Sequence, residues 1–130
     1  MPQMILVAGP YRSGTGDDPA LLEANERAMH LAALEVFRRG HLPVTGEALA
    51  LPLIEAAGGG APGDRAFDEI FHPIARRLVA RCDAVLRIGG PSKGADEMVV
   101  IARAHGARVL HSIDELPPAT RPSTADEADR

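Results

Sequence analysis

Two turns in this chain bring together side chains and backbone suited to holding an anion. The first, Ala8-Gly9-Pro10-Tyr11-Arg12-Ser13-Gly14, follows the apolar run Met4-Ile5-Leu6-Val7. The second, Gly89-Gly90-Pro91-Ser92-Lys93-Gly94-Ala95-Asp96-Glu97, follows Ala84-Val85-Leu86-Arg87-Ile88. Glycine permits a tight passage from strand to helix and a close approach to the backbone. Such glycines are common for purely structural reasons. Arg12 with Ser13 in one turn and Ser92 with Lys93 in the other go further, because these donors suit a phosphate or a sugar. In an open parallel sheet both turns would lie at the carboxyl ends of their strands, where helix N-termini converge on anionic ligands. Gly9, Pro10, Tyr11, Arg12, Ser92, Lys93 and Gly94 are therefore expected to border one cleft.

Four further side chains could supply acid–base chemistry there. Glu97 and Asp96 follow the second turn directly. As a carboxylate pair opening a helix they could serve nucleophilic and acid roles. Asp96 is equally explained as a first-turn residue favoured by the helix dipole, and Glu97 as an exposed helix carboxylate. Glu47, just past the second expected strand, lies at the cleft edge by topology and suits ribose hydroxyls, or simply starts a helix. His72 precedes Pro73 and can act as an acid near neutral pH, or serve as a packing or capping group. His30, His41, His105 and His111 are too scattered for a metal spacing, so neither a metal nor a cofactor is expected.

The elements that must hold these residues follow from pattern. Residues 4–8 read as a buried strand. Asp18 ahead of Pro19 starts a helix that Gly40 stops. Residues 41–45 give a second strand, short or at an edge because Pro43 cannot donate to a ladder. Residues 47–57 suggest a helix that Pro52 kinks or begins, and 58–63 a glycine-rich loop beside the cleft. Residues 64–81 are helical in pattern, with Phe67, Ile70, Phe71, Ile74, Leu78 and Val79 on one stripe and a start or kink at His72-Pro73. A strand at 84–88, a helix at 96–105 and a short strand at 108–110 complete the series. The alternation predicts an α/β domain over residues 1–116, with a single parallel sheet flanked by helices, and a disordered tail over 117–130.

Composition narrows the function classes. The chain has 130 residues, 45% of them hydrophobic, enough for one core. A net charge of −4 argues against nucleic acid as partner, and the Arg38-Arg39 and Arg76-Arg77 pairs read as solvated helix faces. Aromatic residues are scarce, with Tyr11 alone placed in a glycine turn. The lone Cys82 excludes an internal disulfide and fits a cytoplasmic setting, while no apolar stretch or leader points to a membrane.

Taken in order, Ala8-Gly9-Pro10-Tyr11-Arg12, Asn25, Gly40-His41 with Pro43, Cys82-Asp83-Ala84 and Ser92-x-Gly94-Ala95 resemble the nucleoside 2-deoxyribosyltransferase-like superfamily and its small N-hydrolase members. The resemblance spans about residues 4–111 and implies a flavodoxin-like or deoxyribosyltransferase-like sheet. It implies a nucleoside or nucleoside 5′-phosphate as ligand, with Tyr11 and Arg12 near the sugar or base and Ser92 and Gly94 on the phosphate. It also implies a homodimer or larger homo-oligomer. The family's usual nucleophile is a Glu six residues after that Ser, where this chain has Met98. The carboxylate that many members carry in the preceding helix falls at Ala75 or Arg76. The resemblance thus implies cleavage of an N-glycosidic bond, which needs one carboxylate to attack or shield the anomeric carbon and an acid to protonate the departing base, with Glu97 in the first role and Asp96 in the second or a sugar-positioning one. Water or, less readily, a second base would accept the sugar, and nucleotide binding without catalysis is the alternative.

Overall fold

The computed structural model describes residues 2–59 and 65–119. Its sheet has four parallel strands, β1 (Met4–Ala8), β2 (Leu42–Val44), β3 (Ala84–Arg87) and β4 (Arg108–Leu110), in the order β2-β1-β3-β4. The first crossover leaves β1 on one side and the next returns to its other side, so the loops after β1 and β3 diverge around a crevice. Four helices make the connections: α1 (Pro19–Arg38), α2 (Gly46–Ala56), α3 (Arg65–Val79) and α4 (Lys93–Ala104). A 3₁₀ turn, Ile113–Glu115, follows β4. This is the α/β parallel-sheet architecture expected from the strand and helix alternation.

Alternate residues along β1 serve opposite faces, as the period of two in a strand requires. Ile5 and Val7 pack with Met29 and Val36 of α1, together with Ala84 and Leu86 of β3. Leu6 and Ala8 pack on the other face with Ala75 and Val79 of α3 and Met98, Val99 and Ala102 of α4. Both faces of the central strands are covered, which is why β1 and β3 are continuous apolar runs. A third cluster, Ala50, Ile54 and Phe67, joins α2 to α3.

Three local expectations need correction. Neither Pro52 nor Pro73 begins a helix: α2 and α3 each run through their proline. Each proline forfeits a bond to the carbonyl four residues earlier, and those carbonyls belong to the exposed residues Ala48 and Glu69, where water can replace the donor. The helix read as 96–105 begins three residues earlier, because Ser92 Oγ accepts from Ala95 N at 3.2 Å and caps it. The second strand spans three residues rather than five, at the sheet edge as Pro43 demands.

The chain ends of the domain are tied together. His41 Nδ1 accepts from Gln3 N at 3.0 Å, so its Nε2 carries the proton donated to Pro117 O at 2.8 Å. Ala119 N donates to Arg39 O at 2.7 Å, and Leu116 is fully buried. These bonds tie residues 117 and 119 to the end of α1 and the start of β2. The rest of the expected tail, 120–130, and most of the glycine-rich loop, 60–63, lie outside the described residues.

Candidate functional site

Gly9 and Gly89 bring the two turns against each other. A Cβ at Gly9 would sit 2.9 Å from Ile88 Cγ1 and 3.0 Å from Ile88 O. Gly89 adopts a φ of +77°, and a Cβ there would meet Pro10 Cδ at 2.7 Å. Part of the glycine signature is therefore explained by the turns packing on one another. Arg87 braces the second turn: its guanidinium donates to Ile88 O, to Gly90 O at 2.9 Å and to Asp96 Oδ1 at 3.1 Å.

Beneath the turns lies a cavity of about 170 Å³ at the carboxyl ends of the strands. Its walls come from the end of β1 and the following turn (Ala8, Gly9, Tyr11, Arg12), the start of α2 (Gly46, Glu47), the inner side of α3 (Phe67, Phe71, His72, Ala75) and the start of α4 (Ser92, Gly94, Ala95, Met98). Of the residues expected at the cleft, Gly9, Tyr11, Arg12, Glu47, His72, Ser92 and Gly94 line this space, while Pro10, Lys93, Asp96 and Glu97 do not. Asp96 is turned to Arg87, and Glu97 is 3.2 Å from Arg76 with its side chain 41% exposed. Met98, buried at 4%, occupies the inner face of α4 instead. The reason is helical phase: with α4 starting at Lys93, successive residues turn by about 100°, so Glu97 and Met98 cannot share a face.

One wall is aromatic. Phe67 and Phe71 stack with ring centroids 4.8 Å apart, and Tyr11 lies nearly parallel to both, 6.2 and 6.0 Å away. The Arg12 guanidinium sits 5.3 Å from the centre of the Phe67 ring. His72 meets Phe71 edge-on. Asn25 Nδ2 donates to Tyr11 O at 2.9 Å, which fixes the turn from α1. Sequence reasoning placed Phe67 and Phe71 on an apolar stripe and did not assign them to the site. Their spacing of four, which puts both rings on one helix face, was the available signal.

Another wall is the N-terminus of α4. The N–H groups of Lys93 and Gly94 precede the reach of any intrahelical carbonyl, so they remain available to an acceptor. A Cβ at Gly94 would have His72 Cε1 at 3.7 Å as its nearest neighbour, so the glycine leaves room rather than relieving a clash. Arg12, which is also on the lining, is held by Asp17 at 3.4 Å and Asp68 at 3.9 Å. Both contacts are partly exposed and weak enough for an incoming anion to displace.

Glu47 stands out electrostatically. Its side chain is buried at 7% exposure, and burial pushes its pKa up to about 7; the nearby Glu26 charge adds to the rise, while a backbone hydrogen bond opposes it. The Tyr11 hydroxyl is raised as well, first by burial and then by the charges of Glu26 and Glu47, against Arg12. By contrast Cys82 lies away from the cavity, its thiol donating to Leu78 O at 3.3 Å and its pKa pushed up to about 11 by burial and by Asp83.

Among the described residues no cluster of three or more His, Cys, Asp or Glu side chains could hold a metal ion, and no helix is long and apolar enough to cross a membrane. Compared with protein-family models and with curated protein sequences, the chain matches none.

Proposed function

We propose that the cavity binds a nucleoside 5′-phosphate, with the base against Tyr11, Phe67 and Phe71 and the phosphate at Ser92–Gly94. The observation that carries this reading is the presence, on the lining of one cavity, of both a stacked aromatic wall and a helix N-terminus with free N–H donors. Stacking suits any base, and a phosphate at a helix start gains from both the donors and the dipole. Arg12 adds a positive charge on the same lining. A cavity of about 170 Å³ encloses part of such a ligand and leaves the rest at the open mouth.

As an enzyme the protein would cleave the N-glycosidic bond, with water as acceptor. The placement of Glu97 beside Arg76 gives that residue no support as the attacking carboxylate, and Met98 on the inner face favours the alternative of a binder without catalysis. Hydrolysis on this scaffold therefore needs a carboxyl group from another wall of the cavity. Self-association and a cytoplasmic setting belong to the same proposal. Exposed Phe37 and Leu42, with β2 at the sheet edge, support the former, and the single cysteine, free and buried, supports the latter.

Calorimetric titration with nucleoside monophosphates and the matching nucleosides tests the binding reading. The phosphorylated ligands should bind at least about tenfold more tightly, as expected for charge-assisted hydrogen bonds. Equal affinities would remove the phosphate from Ser92–Gly94.

A further inference from the structure

We infer that Glu47 is the acid that protonates the departing base of a nucleoside 5′-phosphate held in this cavity. The inference rests on the nucleotide reading above and adds the residue that performs chemistry on it.

The backbone fixes Glu47 firmly. Thr45 Oγ1 accepts from Ala48 N at 3.2 Å and caps α2, and Gly46 lies so close to α3 that a Cβ on it would be 3.4 Å from Ala75 Cβ. The second helical residue is thereby aimed into the cavity, on the same lining as Tyr11, His72 and Gly94. Four other carboxylates have arginine partners: Asp17 and Asp68 on Arg12, Asp96 on Arg87, Glu97 on Arg76. Among the described residues no ion pair reaches Glu47. A carboxylate buried without a cation is costly, and the cost is relieved by keeping the proton. Helix starts ordinarily favour an outward, ionised carboxylate, so the inward, unpaired one is a cost the fold does not need. It places an O–H donor on the wall of the cavity.

The charged and titratable groups around it are few. The β1–α1 turn contributes Tyr11 and Arg12, α1 contributes Glu26, and α3 contributes His72, while the α4 residues on the lining carry no ionisable side chain. Burial holds the Glu47 proton in place, with a smaller contribution from repulsion by Glu26, and the Tyr11 hydroxyl stays neutral beside it. In the reaction the C1′–N bond breaks with its electron pair going to the base. Glu47 gives its proton to that base. Water adds to C1′, and the proton it sheds returns to the Glu47 carboxylate, so the products are the free base and the sugar 5-phosphate, with the acid restored.

The test measures base release from ribo- and deoxyribonucleoside monophosphates by wild type, Glu47→Gln and Glu47→Asp, alongside calorimetric binding of the same compounds. Glu47→Gln should lower base release by about 100-fold or more while nucleotide affinity changes by less than about threefold. Glu47→Asp, which keeps an acid on a shorter arm, should retain measurable release. Wild-type turnover should fall as pH rises through about 7, and the residual rate of Glu47→Gln should lack that limb. A Gln variant as fast as wild type would overturn the inference. So would a wild type that binds nucleotides and releases no base, an outcome that leaves the nucleotide reading intact. Failure to bind any nucleoside monophosphate would instead remove that reading and this inference with it.

Discussion

The starts of α2 and α4 face the same cavity from different walls and are capped in the same way, yet they present opposite chemistry. Thr45 caps the first through Ala48 N and Ser92 the second through Ala95 N, each at 3.2 Å. Two residues past the cap, α2 carries Glu47 and α4 carries Gly94, and both of these positions line the cavity. Where the side chain is absent, backbone N–H groups are left open to an anion. Where it is a carboxyl group, the same geometry delivers a buried acid. The carboxylates of α4 sit four and five residues past the cap, and there they turn outward to Arg87 and Arg76. Position after the cap, more than residue type, decides whether a carboxylate at a helix start reaches the site.

The largest effect expected from this contrast lies in the pH dependence of stability. Glu47 has a folded pKa of about 7 against an ordinary value of 4.5. A raised carboxyl pKa means that the folded chain holds the proton more tightly than the unfolded chain does. The stability this contributes is complete below about 4.5 and is lost as pH rises through about 7. The stability of wild type relative to Glu47→Gln should therefore fall by roughly 3 kcal/mol between these limits. Urea unfolding of both proteins across that range measures it, and a constant difference would mean that Glu47 titrates as an exposed carboxyl.

Making α4 resemble α2 should break the anion site. Gly94→Glu introduces a negative charge beside the proposed phosphate, and the nearest neighbour at 3.7 Å leaves space for the first side-chain carbon. Nucleoside monophosphate affinity should drop about 30-fold, roughly 2 kcal/mol, while nucleoside affinity changes little. Unchanged monophosphate affinity would place the phosphate elsewhere.

Removing the caps separates their structural and binding roles. Thr45→Ala and Ser92→Ala should each cost about 1 kcal/mol in denaturant unfolding. Only Ser92→Ala should also weaken monophosphate binding, by about fivefold, because it loosens the helix start that holds the ligand. The smallest effect belongs to Glu97→Gln: its exposed ion pair with Arg76 should be worth less than about 1 kcal/mol, with nucleotide affinity within about twofold of wild type.

Much of the fold was legible because its strongest signals are local. The apolar runs in β1 and β3, and Asp18 ahead of Pro19, specify their elements without help from distant contacts. The start of α4 was harder to read because Pro91 and Gly94 resemble a continuing loop, and only the Ser92 hydroxyl bonded to Ala95 N reveals the cap. That shift of three residues also fixed the phase that turns Glu97 outward and Met98 inward. Phe67 and Phe71 eluded the sequence reading for another reason. A helical stripe facing a cavity and one facing a core have the same periodicity, and only the neighbouring Tyr11 and the empty space beside it distinguish them. Glu47 was placed at the cleft edge by topology, but its burial and missing counter-ion depend on α3 packing against Gly46, which no local pattern encodes.

The most direct test of the two-walled site is a backbone amide NMR titration with a nucleoside monophosphate, followed residue by residue. The account predicts that Gly94 and Lys93 amides shift together with those of Tyr11 and Phe71 along one saturation curve, and that the unphosphorylated nucleoside moves the aromatic group while leaving Gly94 nearly unmoved. Saturation with the monophosphate and no shift at Lys93 or Gly94 would contradict it.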